Sequence, residues 1–127
     1  MFSCTILIGL PGSGKTTYTL NYNQFIFNSD NFKGTLQDLA IYCNTLNKDF
    51  ILDGLFLTQK TQQYLYNNLN YNIKFVYFIE NRQQCILNDQ KRNRIKSSKQ
   101  VILNAPLDNP AIWLNINKIN YEKVYIQ

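Results

Sequence analysis

Histidine is absent from all 127 residues. Its absence removes His-dependent triads, His-ligated zinc and imidazole acid–base chemistry, and leaves proton transfer to carboxylates, Lys, Tyr or water. Cysteine is scarce. Cys4, Cys43 and Cys85 are odd in number, far apart and form no C-x-x-C pair, which points to a reducing, cytoplasmic setting and buried apolar thiols. A nucleophilic cysteine would have no His to activate it. No apolar run approaches the ~20 residues of a transmembrane helix, so no membrane partner is expected. The apolar N-terminus lacks a basic flank and runs straight into a glycine loop, so it reads as a first strand and not as a signal peptide. With three prolines and five glycines there are no flexible linkers, and no segment repeats. One domain over residues 1–127, with one core, is expected.

Acidic residues are also few: 8 against 13 basic ones, for a net charge of +5. Residues 1–81 and 100–127 are each balanced, so the excess lies wholly in residues 82–99. There Arg82, Lys91, Arg92, Arg94, Lys96 and Lys99 face a single acid, Asp89. A basic segment this localised suggests a polyanionic ligand, the plainer alternative being a solvated helix face.

The most informative stretch is Gly9-Leu10-Pro11-Gly12-Ser13-Gly14-Lys15-Thr16, which fits G-x-x-x-x-G-K-[ST], the phosphate-binding P-loop. Average residue usage would bring its four fixed positions together in fewer than about one in a hundred chains of this length. An apolar, β-branched run (residues 2–8) precedes it and a potential helix follows, which is the strand–loop–helix context that the mechanism needs. Glycines let successive backbone N–H groups curl around phosphate. Lys15 supplies charge to the β/γ-phosphates and the Thr16 hydroxyl a ligand for Mg²⁺. Gly9, Pro11, Gly12, Ser13, Gly14, Lys15, Thr16 and Thr17 are therefore the expected contacts to a nucleoside triphosphate, ATP or GTP.

Periodicity and turn signals then predict a helix over about 15–22, a strand at 24–28, and a helix over 35–47 that Thr35 caps with Asp38 three residues on. A buried strand at 50–52 ends in Asp53-Gly54. Further predictions are a helix at 58–69, a strand at 73–79, helices at 82–94 and 97–104, chain breaks at Pro106 and Pro110, and a last strand at 124–126. Short apolar strands alternating with helices mean an α/β fold, its mostly parallel sheet of about five strands covered by helices on both faces. Ligands then bind at the carboxyl ends of the strands. Two acids fall there. Asp53, closing an apolar strand, is the better Mg²⁺-orienting carboxylate. Asp30, in the polar loop after the second strand, is the better group to accept a hydrogen bond from an acceptor hydroxyl and aim it at the γ-phosphate. Arg92 and Arg94, where a helix gives way to a polar run, are candidates to grip phosphate oxygens from a short lid.

At these residues the chain resembles the phage-type P-loop polynucleotide 5′-hydroxyl kinases, within the wider group of small P-loop kinases that includes the zeta-toxin family. The likeness spans roughly residues 4–103. Besides the glycine loop it rests on Asn28-x-Asp30-x-x-Lys33, similar to the family's N-x-D-x-x-R, and on Asn88-Asp89-Gln90-Lys91-Arg92, similar to its lid motif R-N-x-x-R. The resemblance implies a three-layer P-loop kinase fold with a short lid. It implies Lys15, Asp30 and Arg92 as catalytic residues, Arg92 being the transition-state arginine with Arg94 or Lys91 in support. Lys33 would hold the acceptor's phosphate, and Thr16 with Asp53 would hold Mg²⁺. The partners implied are the 5′ ends of RNA or DNA. Lys33 stands where the family has Arg, Asn88 where an Arg is usual, and the phosphatase companion with its D-x-D-x-T motif is absent. Two other readings remain open: a kinase of a small molecule such as a nucleoside, sugar or antibiotic, and a nucleic-acid-binding NTPase with no acceptor.

Overall fold

The computed structural model describes residues 1–92 and 98–127. Five strands, β1 (Ser3–Ile8), β2 (Phe25–Asn28), β3 (Phe50–Asp53), β4 (Asn72–Phe78) and β5 (Tyr121–Val124), form one sheet in the order β2-β3-β1-β4-β5. Every neighbouring pair is parallel. The helices are α1 (Lys15–Thr19), α2 (Leu36–Asn44), α3 (Gln59–Asn68), α4 (Arg82–Lys91), α5 (Lys99–Asn104) and α6 (Pro110–Ile116). From β1 the chain goes to β2 at one edge, returns to place β3 between them, and then crosses to β4 and β5 on the other side of β1. The loop after β1 thus lies where the winding reverses, the place at which such sheets bind ligands.

The central strands β1 and β3, and the second half of β4, are buried because their sequences are apolar on both sides. All four residues of β3 are buried, and so are Cys4, Ile6, Leu7 and Ile8 of β1. One face, bearing Cys4, Ile6, Phe50, Leu52 and Phe75, packs against Leu39 of α2, Leu65 of α3 and Trp113 of α6. The opposite face is thinner. Leu7, Ile51, Val76 and Phe78 pack with Tyr18 of α1. Because α1 is five residues long, a groove of about 450 Å³ stays open beside it, with Thr5, Tyr22, Lys74 and Glu122 in its walls. The Tyr22 hydroxyl donates to that of Tyr18, which donates to Glu122, at 3.0 and 2.9 Å.

Several boundaries differ from the sequence expectation for identifiable reasons. Instead of running to about residue 22, α1 stops at Thr19. Three of its five residues are threonines, which favour helix weakly, and the Thr19 hydroxyl turns back on the Thr16 carbonyl at 2.7 Å. Pro110 does not break the chain; it opens α6 at the first helical position while the Asn109 side chain accepts from the Ala111 N–H at 3.0 Å. β5 lies three residues earlier than expected, and Ile126 instead packs on Leu10, Cys85 and Ile102. The box at the start of α2 is as expected: Asp38 N–H donates to Thr35 Oγ1 at 3.1 Å and Thr35 N–H to Asp38 Oδ2 at 3.0 Å.

Candidate active site

Gly12 and Gly14 have φ of +79° and +96°. This left-handed backbone curls the loop between β1 and α1, and a side chain is strained there. A Cβ at Gly12 would lie 2.3 Å from the Cys85 carbonyl oxygen of α4, whereas at Gly14 it would meet nothing within 4 Å. The loop therefore leans on α4 at one point and opens into free space at the other. The first bond of α1 runs from Tyr18 N–H to the Gly14 carbonyl at 2.9 Å, so the amides before Tyr18 have no helical acceptor. The Ser13 N–H is bonded to the Leu10 carbonyl at 3.1 Å, and the remaining amides form a concavity of donors suited to an anion. Gly9 is in close contact: a Cβ there would fall 2.6 Å from Ser13 Oγ. Ser13 is buried, Pro11 half-buried and Thr17 exposed.

Lys15 reaches from this loop to the end of β3. Its Nζ donates to the Gly54 carbonyl at 3.0 Å and stands 3.6 Å from Asp53 Oδ1. Burial draws the ammonium below the ordinary lysine range. Asp53 and then Asp30 pull it back up, and the Arg92 guanidinium adds to the lowering. Asp53 Oδ1 is buried without a hydrogen-bond partner. A buried carboxylate oxygen left in that state, beside a phosphate cradle, fits a divalent cation. Among the described residues no group of three or more His, Cys, Asp or Glu gathers to hold one. Asp53 and the Thr16 hydroxyl would therefore share Mg²⁺ with phosphate oxygens, the mode in which this ion is usually bound.

Asp30 comes from the other side. In β2 Asn28 pairs in register with Asp53 of β3. Asn28 Oδ1 then accepts from the Asp30 N–H at 2.9 Å and opens a 3₁₀ turn, Ser29–Asn31. The two strand ends touch closely: a Cβ on Gly54 would lie 1.9 Å from Ser29 Oγ.

Lys15, Thr16, Asp30, Asp53 and Arg92 together line one cleft of about 230 Å³. Pro11, Gly12, Asn28, Leu55, Ser98 and Val101 complete its walls. A second cavity of about 550 Å³ lies across the glycine loop, with Gly14, Thr17, Tyr18, Asn21 and Tyr125 among its lining, and Gly12 and Arg92 line both. Arg92 is thus the divider between a large cavity and a small one. Lys33 is exposed and lies outside both linings. Arg94 lies outside the described residues.

Sequence reasoning missed three features of this site. Leu55 and Val101 carried no chemical signal, being apolar residues that stay 43% and 42% exposed at the cleft. Asn88, noted only for replacing an arginine, ties the glycine loop to the last strand's extension by donating to the Gly12 and Gln127 carbonyls at 2.9 and 3.1 Å. Arg82, counted with the basic segment, is spent inside the fold. It donates to Glu80 at 2.8 Å and to the Ile102 and Ala105 carbonyls at 2.5 and 2.9 Å.

No protein-family model matches the sequence, and no curated protein matches it. Solved structures do. A gluconokinase from Sinorhizobium meliloti 1021 superposes with a TM-score of 0.74 at 10% identity, over 98% of this chain and 82% of that one. A sugar kinase from Janibacter sp. HTCC2649 gives 0.60 at 11% identity, over 99% and 85%. The chain has the P-loop kinase fold. At such identities the likeness is one of fold. No helix among the described residues is long and apolar enough to cross a membrane.

Proposed function

We propose that this protein is a phosphotransferase that moves the terminal phosphoryl group of a nucleoside triphosphate onto a hydroxyl of a small-molecule acceptor. The carrying observation is that Lys15, Thr16, Asp30, Asp53 and Arg92 line one 230 Å³ cleft beside an open glycine loop. The large cavity takes the nucleoside and the loop amides take the phosphate chain. In the small cleft, Asp30 accepts a hydrogen bond from the acceptor hydroxyl and aims its oxygen at the γ-phosphorus. The new O–P bond forms as the β–γ bridging P–O bond breaks, and the hydroxyl proton leaves to Asp30 or water. Charge spreads over the transferring oxygens in a loose transition state, so placement of Lys15 and Arg92 matters more than base strength. Bound Mg²⁺ would add charge neutralisation at the phosphates.

Acceptor size favours a small molecule. Pockets for drug-sized ligands run to roughly 300–1,000 Å³, and this cleft must also admit the terminal phosphate. The structural neighbours named as gluconokinase and sugar kinase support the same class. Arg82, being committed to carbonyls and Glu80, reduces the cationic surface left for a polyanion. A second reading, transfer to the 5′-hydroxyl of RNA or DNA, is favoured by the Asn28-x-Asp30-x-x-Lys33 loop. Its exposed Lys33 is free to meet the phosphate next to such a hydroxyl, beside the aromatic group Phe27, Phe32 and Tyr42.

Incubation with a triphosphate labelled at the γ-position tests both. Label appearing on a polyol, sugar or nucleoside supports the first reading. Label on a 5′-hydroxyl oligonucleotide, falling steeply with salt, supports the second. Label released only as free phosphate refutes both.

A further inference from the structure

Asp89 is a buried carboxylate whose contacts reach the wall of the small cleft. It lies in the last turn of α4 and is 3% exposed. Neither phosphate binding nor hydroxyl alignment uses it. Its contacts suggest a different task. Asp89 Oδ2 accepts from the Ser98 N–H, just before α5, at 3.0 Å. Arg92 follows one turn on, its N–H closing α4 on the Asp89 main-chain carbonyl at 3.2 Å, a bond independent of the Asp89 side chain. Both donors, Arg92 and Ser98, line the small cleft.

The two helices are pinned at their other ends by Arg82, which joins the start of α4 to the carbonyls of Ile102 and Ala105 at the end of α5. Between the pins Cys85 and Ile102 are packed in one apolar cluster. The pair is therefore a braced unit whose cleft-side brace is Asp89. An arginine at a helix cap has several rotatable bonds, and about 1 Å of misplacement can cost some 10²-fold in rate. A brace one turn away limits where its backbone can go.

We infer that Asp89 is a positioning residue that fixes Arg92, and the cleft wall shared with Ser98, for phosphoryl transfer. The inference rests on the proposed phosphotransferase reading, in which Arg92 faces the transferring phosphate.

The test is a double-mutant cycle on the intact protein with label transfer as the readout. Arg92→Ala should lower kcat by about 10²-fold or more. Asp89→Ala should lower kcat by at least about tenfold with nucleotide affinity within about threefold, and the double variant should be no more than about threefold worse than Arg92→Ala. Asp89→Asn keeps an oxygen that can accept from Ser98 and should recover most of the loss; it also serves if the alanine variant fails to fold. Losses that multiply in the double variant, or full activity in Asp89→Ala, overturn the inference while leaving the phosphotransferase reading intact. A wild-type protein that transfers no label overturns the reading, and the inference falls with it.

Discussion

The Lys15 ammonium of the glycine loop rests 3.6 Å from the Asp53 carboxylate at the end of β3. This pair joins the two elements that the chemistry needs, the phosphate cradle and the strand-end acid. Both side chains are largely out of solvent, and the carboxylate opposes the lowering that burial imposes on the ammonium.

Nucleotide binding should respond to pH through this lysine. Burial puts its folded-state pKa below the ordinary value, Asp53 and Asp30 opposing. Binding a phosphate anion favours the ammonium. Below the lowered pKa the charge is already present and affinity is flat. Above it the amine must first take up a proton, so affinity should fall by up to about tenfold per pH unit. Calorimetry in buffers of different ionisation heat should show proton uptake on binding at alkaline pH. Lys15→Met should abolish both the uptake and most of the affinity.

Asp30 and Asp53 should separate by readout. Asp30→Ala is expected to remove transfer with nucleotide affinity nearly intact, because the residue serves the acceptor. Asp53→Asn is expected to raise the Mg²⁺ concentration needed for half-maximal transfer. Steady-state kinetics at varied Mg²⁺ checks both, and wild-type transfer by Asp30→Ala would remove that residue from its assigned role.

Two glycines should fail in different ways. Gly12→Ala places a Cβ at φ +79° and 2.3 Å from a main-chain oxygen, strain of about 1–3 kcal/mol before the clash. It should weaken nucleotide binding by about tenfold or more. Gly54→Ala pushes against Ser29, whose turn carries Asp30, and should lower kcat while nucleotide affinity holds. Equilibrium binding beside turnover distinguishes the two.

A core test is independent of function. Trp113, the sole tryptophan, donates to Gln62 Oε1 at 2.8 Å, and Gln62 Nε2 donates to the Phe56 carbonyl at 2.8 Å. Gln62→Leu strands a buried N–H and a buried carbonyl, which costs about 1–3 kcal/mol for each group. Thermal unfolding followed by Trp113 fluorescence should show the midpoint lowered by several degrees.

Much of this site was legible because its signals are local. A glycine loop, its lysine and the flanking strand are written in consecutive residues, and a parallel sheet brings strand-end acids beside them by topology alone. Asp30 and Asp53 could therefore be placed at one crevice from sequence, whereas Arg92 was suggested by the polar run that ends its helix and by the lid motif it resembles. What was not legible depends on distant partners. Arg82 looks like any other cation of the basic segment until the end of α5 is seen to lie against it. α6 was hidden because Pro110 reads equally as a breaker and as a first helical residue. The short α1 reflects its threonine content and the Thr19 hydroxyl, which turns back on the Thr16 carbonyl.

The most direct measurement is titration of the protein with a Mg²⁺–nucleoside triphosphate, comparing wild type with Lys15→Ala. Saturable one-to-one binding by the wild type in the micromolar to low-millimolar range, lost in the variant, is the expected result. No binding at millimolar nucleotide, or equal binding by both proteins, would contradict the placing of the phosphate chain on the loop between β1 and α1.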